Sequence, residues 1–207
     1  MKADKECSVV VADPSGLAKL EDGSILICSS STNSVIRWSQ HSQSTTHLKI
    51  GPNREFLNPT DVFVCNSGEV VIADARGLHL FNTSLVYVKS LNQDEKCFGV
   101  AEDDEGRLLT INHEGEGKTK VLFIDKETGK LVKQIDMEGI IKAAIEYLKD
   151  ELSDFICDNL VSQCISVKVK KGIIYVVGRN QFPYLFSSFL IILLLIYRSW
   201  AGLCFCA

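Results

Sequence analysis

Pro14-Ser15-Gly16-Leu17, closing at Asp22-Gly23, recurs as Pro59-Thr60-Asp61-Val62, closing at Ser67-Gly68. The offset is 45 residues at both ends, 59 minus 14 and 68 minus 23. A third copy starts at Phe98-Gly99-Val100-Ala101 and reaches Glu105-Gly106, 38 residues beyond Gly68, and a partial fourth closes at Lys171-Gly172. After each glycine comes a short apolar run: Ser24 to Cys28, Glu69 to Ala73, Arg107 to Ile111, and Ile173 to Val177. Units of this length cannot bury both their faces alone, so they must stack on one another.

Turn residues divide the second unit into four short strands, Asp61 to Cys65, Glu69 to Ala73, Leu78 to Phe81 and Leu85 to Leu91. Strands this short, joined by turns this tight, make meandering antiparallel sheets. The middle strands are apolar almost throughout, which requires cover on both faces. In the last strand Val86, Val88 and Leu91 are interspersed with Tyr87, Lys89 and Ser90, as expected of a half-wet strand. This gradient from covered to wet describes the blade of a β-propeller, and the chain is expected to be all-β.

Phe56-Leu57-Asn58-Pro59-Thr60-Asp61-Val62, followed by Ser67-Gly68-Glu69-Val70-Val71-Ile72-Ala73-Asp74, resembles an NHL repeat. That repeat is the blade unit of six-bladed propellers at the end of many tripartite-motif proteins. In the first unit Ser29 and Ser34 stand where the family usually has an acidic residue and an arginine. The second unit keeps Asp74 but has a shortened loop, and the third has Asn112 there and a loop lengthened through Lys120. The resemblance covers Asp13 to Val177. It implies a fold, and binding of proteins or RNA on the propeller faces, with ubiquitin transfer by a RING domain elsewhere. This chain has no RING cysteine pattern.

From Gly106 to Gly172 the glycine spacing stretches to 66 residues and the periodicity changes. Ile141, Ala144, Ile145, Leu148, Leu152, Phe155 and Ile156 fall on one face of a helix, with Lys142, Glu146, Lys149, Asp150, Asp154 and Asp158 opposite. The expected organisation is a lead over 1–12, an NHL-type propeller fragment over 13–180 with an amphipathic helical insertion at about 137–160, and an apolar segment over 181–207. About three and a half four-stranded blades do not close a ring. The expectation is therefore an incomplete β-propeller that is unstable alone, completes itself with another chain, or is a truncated product.

Phe182 to Tyr197 is 16 uncharged, mostly apolar residues, about 24 Å as a helix and short for a bilayer. Continued past Arg198 to Ala207, it becomes long enough for a tail anchor that leaves the blades in the cytoplasm. Cys204-Phe205-Cys206-Ala207 has the outline of a prenylation box. The competing account is an aberrant ending that replaces missing blades, because the fourth unit is interrupted where another strand is due.

Charge and cysteine content exclude other classes. The net charge is -4, so no overall positive field favours nucleic acid. The eight cysteines lack metal-site or redox spacing, and Cys28 and Cys65 lie in strand-like runs, as reduced, buried thiols do. His113-Glu114-Gly115-Glu116-Gly117-Lys118-Thr119 ends like a phosphate loop, but it leads into a strand and carries two repelling glutamates, so a hairpin and no nucleotide is expected. His41 and His47 fall in a polar connection and His79 within a strand. Asp74, Asn112 and Asp125 could approach an axis, as carboxylates do in calcium-dependent lactonases of similar shape, but turn and ladder roles suit them better. Lys118, Lys120, Lys126, Lys130 and Lys133 are mixed with acids, as on an ordinary solvated face.

The function expected from this reading is a non-catalytic module that binds proteins through propeller loops, with substrate recruitment in a ubiquitin-ligase system as its context and no cofactor. Arg76, beside Asp74 in a short loop, is the first candidate contact, followed by Asn112 and His113. The alternatives are an RNA-binding propeller and a calcium-dependent, lactonase-like propeller hydrolase. Membrane association would run through Phe182 to Ala207.

Overall fold

In the computed structural model the described residues are 9–39, 41–51, 54–92, 95–114, 118–137, 163–170, 173–179 and 191–196. They are all-β, with no helical element among them, and the chain divides into two compact units, Met1–Asp94 and Glu95–Ala207. The first unit holds β1 (Pro14–Lys19), β2 (Ile25–Ser29), β3 (Ser34–Ser39) and β4 (Ser44–His47), then β5 (Asp61–Val64), β6 (Val70–Asp74), β7 (Gly77–Phe81) and β8 (Tyr87–Leu91). The second holds β9 (Cys97–Glu102), β10 (Leu108–Glu114), β11 (Lys118–Ile124) and β12 (Leu131–Asp136), then β13 (Gln163–Lys170), β14 (Ile173–Arg179) and β15 (Ile191–Ile196). Three sheets are four-stranded antiparallel meanders, the fourth is a three-stranded meander, and each strand pairs with its sequence neighbour. These are the sheets of an incomplete propeller.

The glycine that marks each repeat has a physical reason. Gly23, Gly68 and Gly106 have φ of 81°, 82° and 78°, a left-handed geometry that glycine adopts without a Cβ clash. Each donates its N–H to the carbonyl three residues back, Leu20, Cys65 and Asp103 respectively, closing the same turn between first and second strands. In the first of these turns the Ser24 hydroxyl and N–H, aided by the Arg37 guanidinium, hold the exposed Asp22 carboxyl down at about 2.

In the first unit the two sheets share one core. Leu26, Cys28 and Val35 from the first sheet meet Val62, Val70, Ile72 and Phe81 from the second, with Ile50 and Phe56 from the connection. The inner strands approach closely: a Cβ added at Gly16 would lie 2.6 Å from the Asp61 Cα, and the Ser15 hydroxyl donates to the Pro59 carbonyl at 2.6 Å. In the second unit Ala101, Leu109, Ile111, Val121 and Phe123 pack with Met137 and with Val167 of β13.

The outer strand β8 is half wet. Val88, and Val86 just before the strand, are 50% and 59% exposed, whereas Tyr87 and Ser90 are half-buried and Leu91 is buried. A bulge between Leu80 and Phe81 in the β7–β8 ladder sets this register.

The helical insertion expected at about 137–160 lies outside the described residues except for Met137, which is buried. Most of the 181–207 segment also lies outside them. Its described part, Ile191–Ile196, pairs antiparallel with β14, from Ile173↔Ile196 to Gly178↔Ile191, as the third strand of the last sheet. Among the described residues no helix is long and apolar enough to cross a membrane.

Candidate functional site

Asp74 ends β6 and faces Gly77 across a two-residue turn, Ala75–Arg76. Its carboxylate accepts the Arg76 N–H at 2.7 Å and the Leu57 N–H at 3.0 Å, tying the turn to the connection that precedes β5. Gly77 is obligatory here: its φ is 124°, and a Cβ would lie 2.7 Å from the Leu91 carbonyl. The backbone is thus held from three directions. Arg76 projects from it, exposed, with no ion-pair partner among the described residues.

Behind the turn, His79 Nε2 lies 3.0 Å from Asp74 Oδ1, within ion-pair distance but too oblique for a good hydrogen bond. Its Nδ1 is 2.9 Å from the Ser90 hydroxyl, which is 2.9 Å from the Tyr87 hydroxyl. The His79 ring also meets the edge of Phe56. Burial alone would push the Asp74 carboxyl up, but His79 and the two backbone N–H groups outweigh it, and the net position is below the ordinary value. Asp, His and Ser in this order suggest a hydrolytic relay. Here Ser90 sits within a strand with its hydroxyl bonded to Tyr87 as well, so the chain of contacts clasps β6, β7 and β8 together.

The other candidates are placed differently. Asn112 has the position in β10 that Asp74 has in β6, but it is 5% exposed and donates its Nδ2 to the Lys96 carbonyl at 3.3 Å. Its Oδ1 has no hydrogen-bond partner among the described residues. His113, one residue on, is half-buried, with Nδ1 3.0 Å from Thr119 Oγ1 and its ring 4.7 Å from Phe98. The expected hairpin forms, with His113↔Thr119 and Glu114↔Lys118 as the last rungs described. The structure therefore exposes Arg76 and packs Asn112 and His113.

Asp125 caps its own turn, accepting the Thr128 N–H and hydroxyl at 2.6 Å each. No group of three or more potential metal ligands occurs among the described residues. Cys28, Cys65 and Cys97 are buried thiols, and burial, with Asp61 and Asp74 nearby, pushes the Cys28 thiol well above its usual range. In the lysine-rich stretch, Lys126 pairs with Glu102 at 3.3 Å and Lys133 lies over the Phe123 ring.

Sequence reasoning singled out Arg76 from its neighbour Asp74 but missed Ser90 and Tyr87. Nothing local marks them, because Ser90 meets His79 only through the β7–β8 register.

No protein-family model matches the chain, and no curated protein matches it by sequence. Solved structures do match in fold. Virginiamycin B lyase from Staphylococcus aureus is 9% identical with a TM-score of 0.55, over 87% of this chain and 54% of that one. A gluconolactonase from Xanthomonas campestris is 12% identical with a TM-score of 0.54, over 80% and 56%. The Dos1 propeller is 13% identical with a TM-score of 0.51, over 80% and 42%. This chain spans about half the length of the propellers it resembles, and at these identities the likeness is one of fold.

Proposed function

We propose that this chain is a protein-interaction module that presents Arg76 to a partner from the β6–β7 turn. The observation that carries the reading is the contrast at this turn between a fixed backbone, held by Asp74 and Gly77, and an exposed guanidinium with no ion-pair partner among the described residues. A charge on a pre-organised loop loses little entropy on binding, and arginine is enriched where interfaces concentrate their energy. The partner chemistry that suits it is a carboxylate or other bidentate acceptor on a protein surface. Recruitment of a substrate to a ubiquitin ligase is the finer form of this reading, and it rests on the NHL resemblance.

Two features favour this over the alternatives. The Asp74 carboxylate is already engaged by Leu57, Arg76 and His79, which counts against its use as a calcium ligand in a hydrolase. The engagement of Lys126 and Lys133 within their own blade counts against a basic track for RNA.

The test is proximity labelling in cells with wild-type chain and Arg76→Glu, followed by direct binding of each purified candidate. Loss of at least about tenfold in affinity, with unchanged thermal unfolding, is the expected result. Equal binding by both forms would sink the proposal.

A further inference from the structure

One carboxylate anchors two exposed residues in the first unit. Asp74 Oδ1 accepts the Arg76 N–H at 2.7 Å, and Asp74 Oδ2 accepts the Leu57 N–H at 3.0 Å. The Ala75 N–H then donates to the Leu57 carbonyl at 2.9 Å, so both polar main-chain groups of Leu57 are committed to the turn that carries Arg76. The Leu57 side chain has no comparable duty. It is 40% exposed beside the buried Phe56, and it belongs neither to the core of the first unit nor to the residues packed against that core. A solitary exposed leucine is ordinary on a protein surface, but this one shares its anchor with an exposed guanidinium.

The adjoining loops are polar and carry no other charge. The Asn58 N–H donates to Asn33 Oδ1 at 2.6 Å, which joins the β2–β3 loop to the same surface. Across Ser29 to Ser34, Leu57 to Thr60 and Ala75 to Gly77, Arg76 is the one charged residue. These three segments therefore contain no carboxylate to neutralise it, and the carboxylate of Asp13, which precedes β1, accepts the Ser30 hydroxyl.

We infer, building on Arg76 as the partner contact, that Leu57 completes the same contact and that its occupant is a protein segment presenting an Asp or Glu carboxylate beside an apolar side chain. Charge complementarity supplies the first half: a guanidinium with no ion-pair partner among the described residues takes a carboxylate through its planar fork. Burial supplies the second. An ion pair left in water is weak, so binding through Arg76 gains from an apolar neighbour that is covered with it and keeps water away from the pair. Covering Leu57 removes apolar surface from water where the backbone is already held, so little ordering of the loop opposes the gain.

The test pans a display library of random peptides on the purified chain and measures the selected sequences, as labelled synthetic peptides, against wild type, Leu57→Ser, Leu57→Met, Arg76→Glu and Val88→Ser. Peptides that depend on Arg76 are expected to carry Asp or Glu near an apolar residue. Leu57→Ser should weaken them by at least about tenfold with unchanged thermal unfolding, because serine keeps the N–H and carbonyl that hold the turn. Leu57→Met should bind as wild type does, and so should Val88→Ser on the outer strand. Arg76-dependent peptides that lack an apolar residue, or that bind Leu57→Ser undiminished, would overturn the composite contact and leave the reading of Arg76 standing. A selection in which no peptide depends on Arg76 would overturn both.

Discussion

His79 Nε2 stands 3.0 Å from Asp74 Oδ1 with both side chains almost wholly withdrawn from water, 3% and 0% exposed. Because Asp74 also accepts two backbone N–H groups, this one carboxylate joins a turn, a preceding connection and the third strand of its sheet.

The depressed Asp74 carboxyl fixes a sign for pH. The folded-state value is below the ordinary 3.8, so its contribution to stability is complete above that value and is lost as pH falls through the folded value. Urea unfolding should show stability declining in that acid window, and Asp74→Ala should flatten the decline. The same variant should cost about 1–3 kcal/mol near neutrality, because it strands the buried His79 and two part-buried N–H groups. An unchanged acid profile in Asp74→Ala would place the titrating group elsewhere.

Gly16 and Gly77 should resist even alanine. A methyl at Gly16 meets the Asp61 backbone across the inter-sheet contact, and one at Gly77 meets the carbonyls that end β8, with an unfavourable φ in addition. Each substitution is expected to cost about 1–3 kcal/mol. Gly23→Ala, where a Cβ meets nothing within 4 Å, isolates the backbone effect and should cost about 1 kcal/mol. Denaturation midpoints of the three variants provide the comparison.

Arg76→Glu should leave folding untouched. The side chain is exposed, and the contact that holds the turn uses the Arg76 N–H, which glutamate retains. A change within about 0.5 kcal/mol is expected. A larger loss would show that the guanidinium serves the fold.

Cys28 should be unreactive in the native state. Its thiol is buried, and burial together with Asp61 and Asp74 disfavours the thiolate, the only nucleophilic form. Alkylation followed by peptide mass spectrometry should label Cys28 only after denaturant is added. Labelling of the folded chain at mildly alkaline pH would contradict the packing of the first unit.

A helix across a bilayer and a strand in a sheet are exclusive uses of the same six residues. Because Ile191–Ile196 is paired with β14 along its length, alkaline extraction of membranes should release the chain to the supernatant. Retention in the pellet would mean that the segment leaves the sheet for lipid.

What the residues determine alone is whatever depends on a few neighbours along the chain. The glycines at 23, 68 and 106 announce a left-handed turn at a fixed interval, and the runs after them announce strands, so the all-β blade and its repeat were legible. The polar position shared by Ser29, Asp74 and Asn112 was legible too, and so was the short turn that exposes Arg76. Tertiary structure decided what depends on register and on which sheet lies behind which. A bulge beside Phe81 left Val88 outside the ladder and brought Ser90 to His79. Packing made Val62 core while leaving Leu17, at the matching position of the first unit, on the surface. Pairing with β14 made a strand of residues that composition alone would equally give to a membrane. Hydrophobicity states only that a side chain avoids water, and the partner that shields it is set by long-range contacts no local pattern contains.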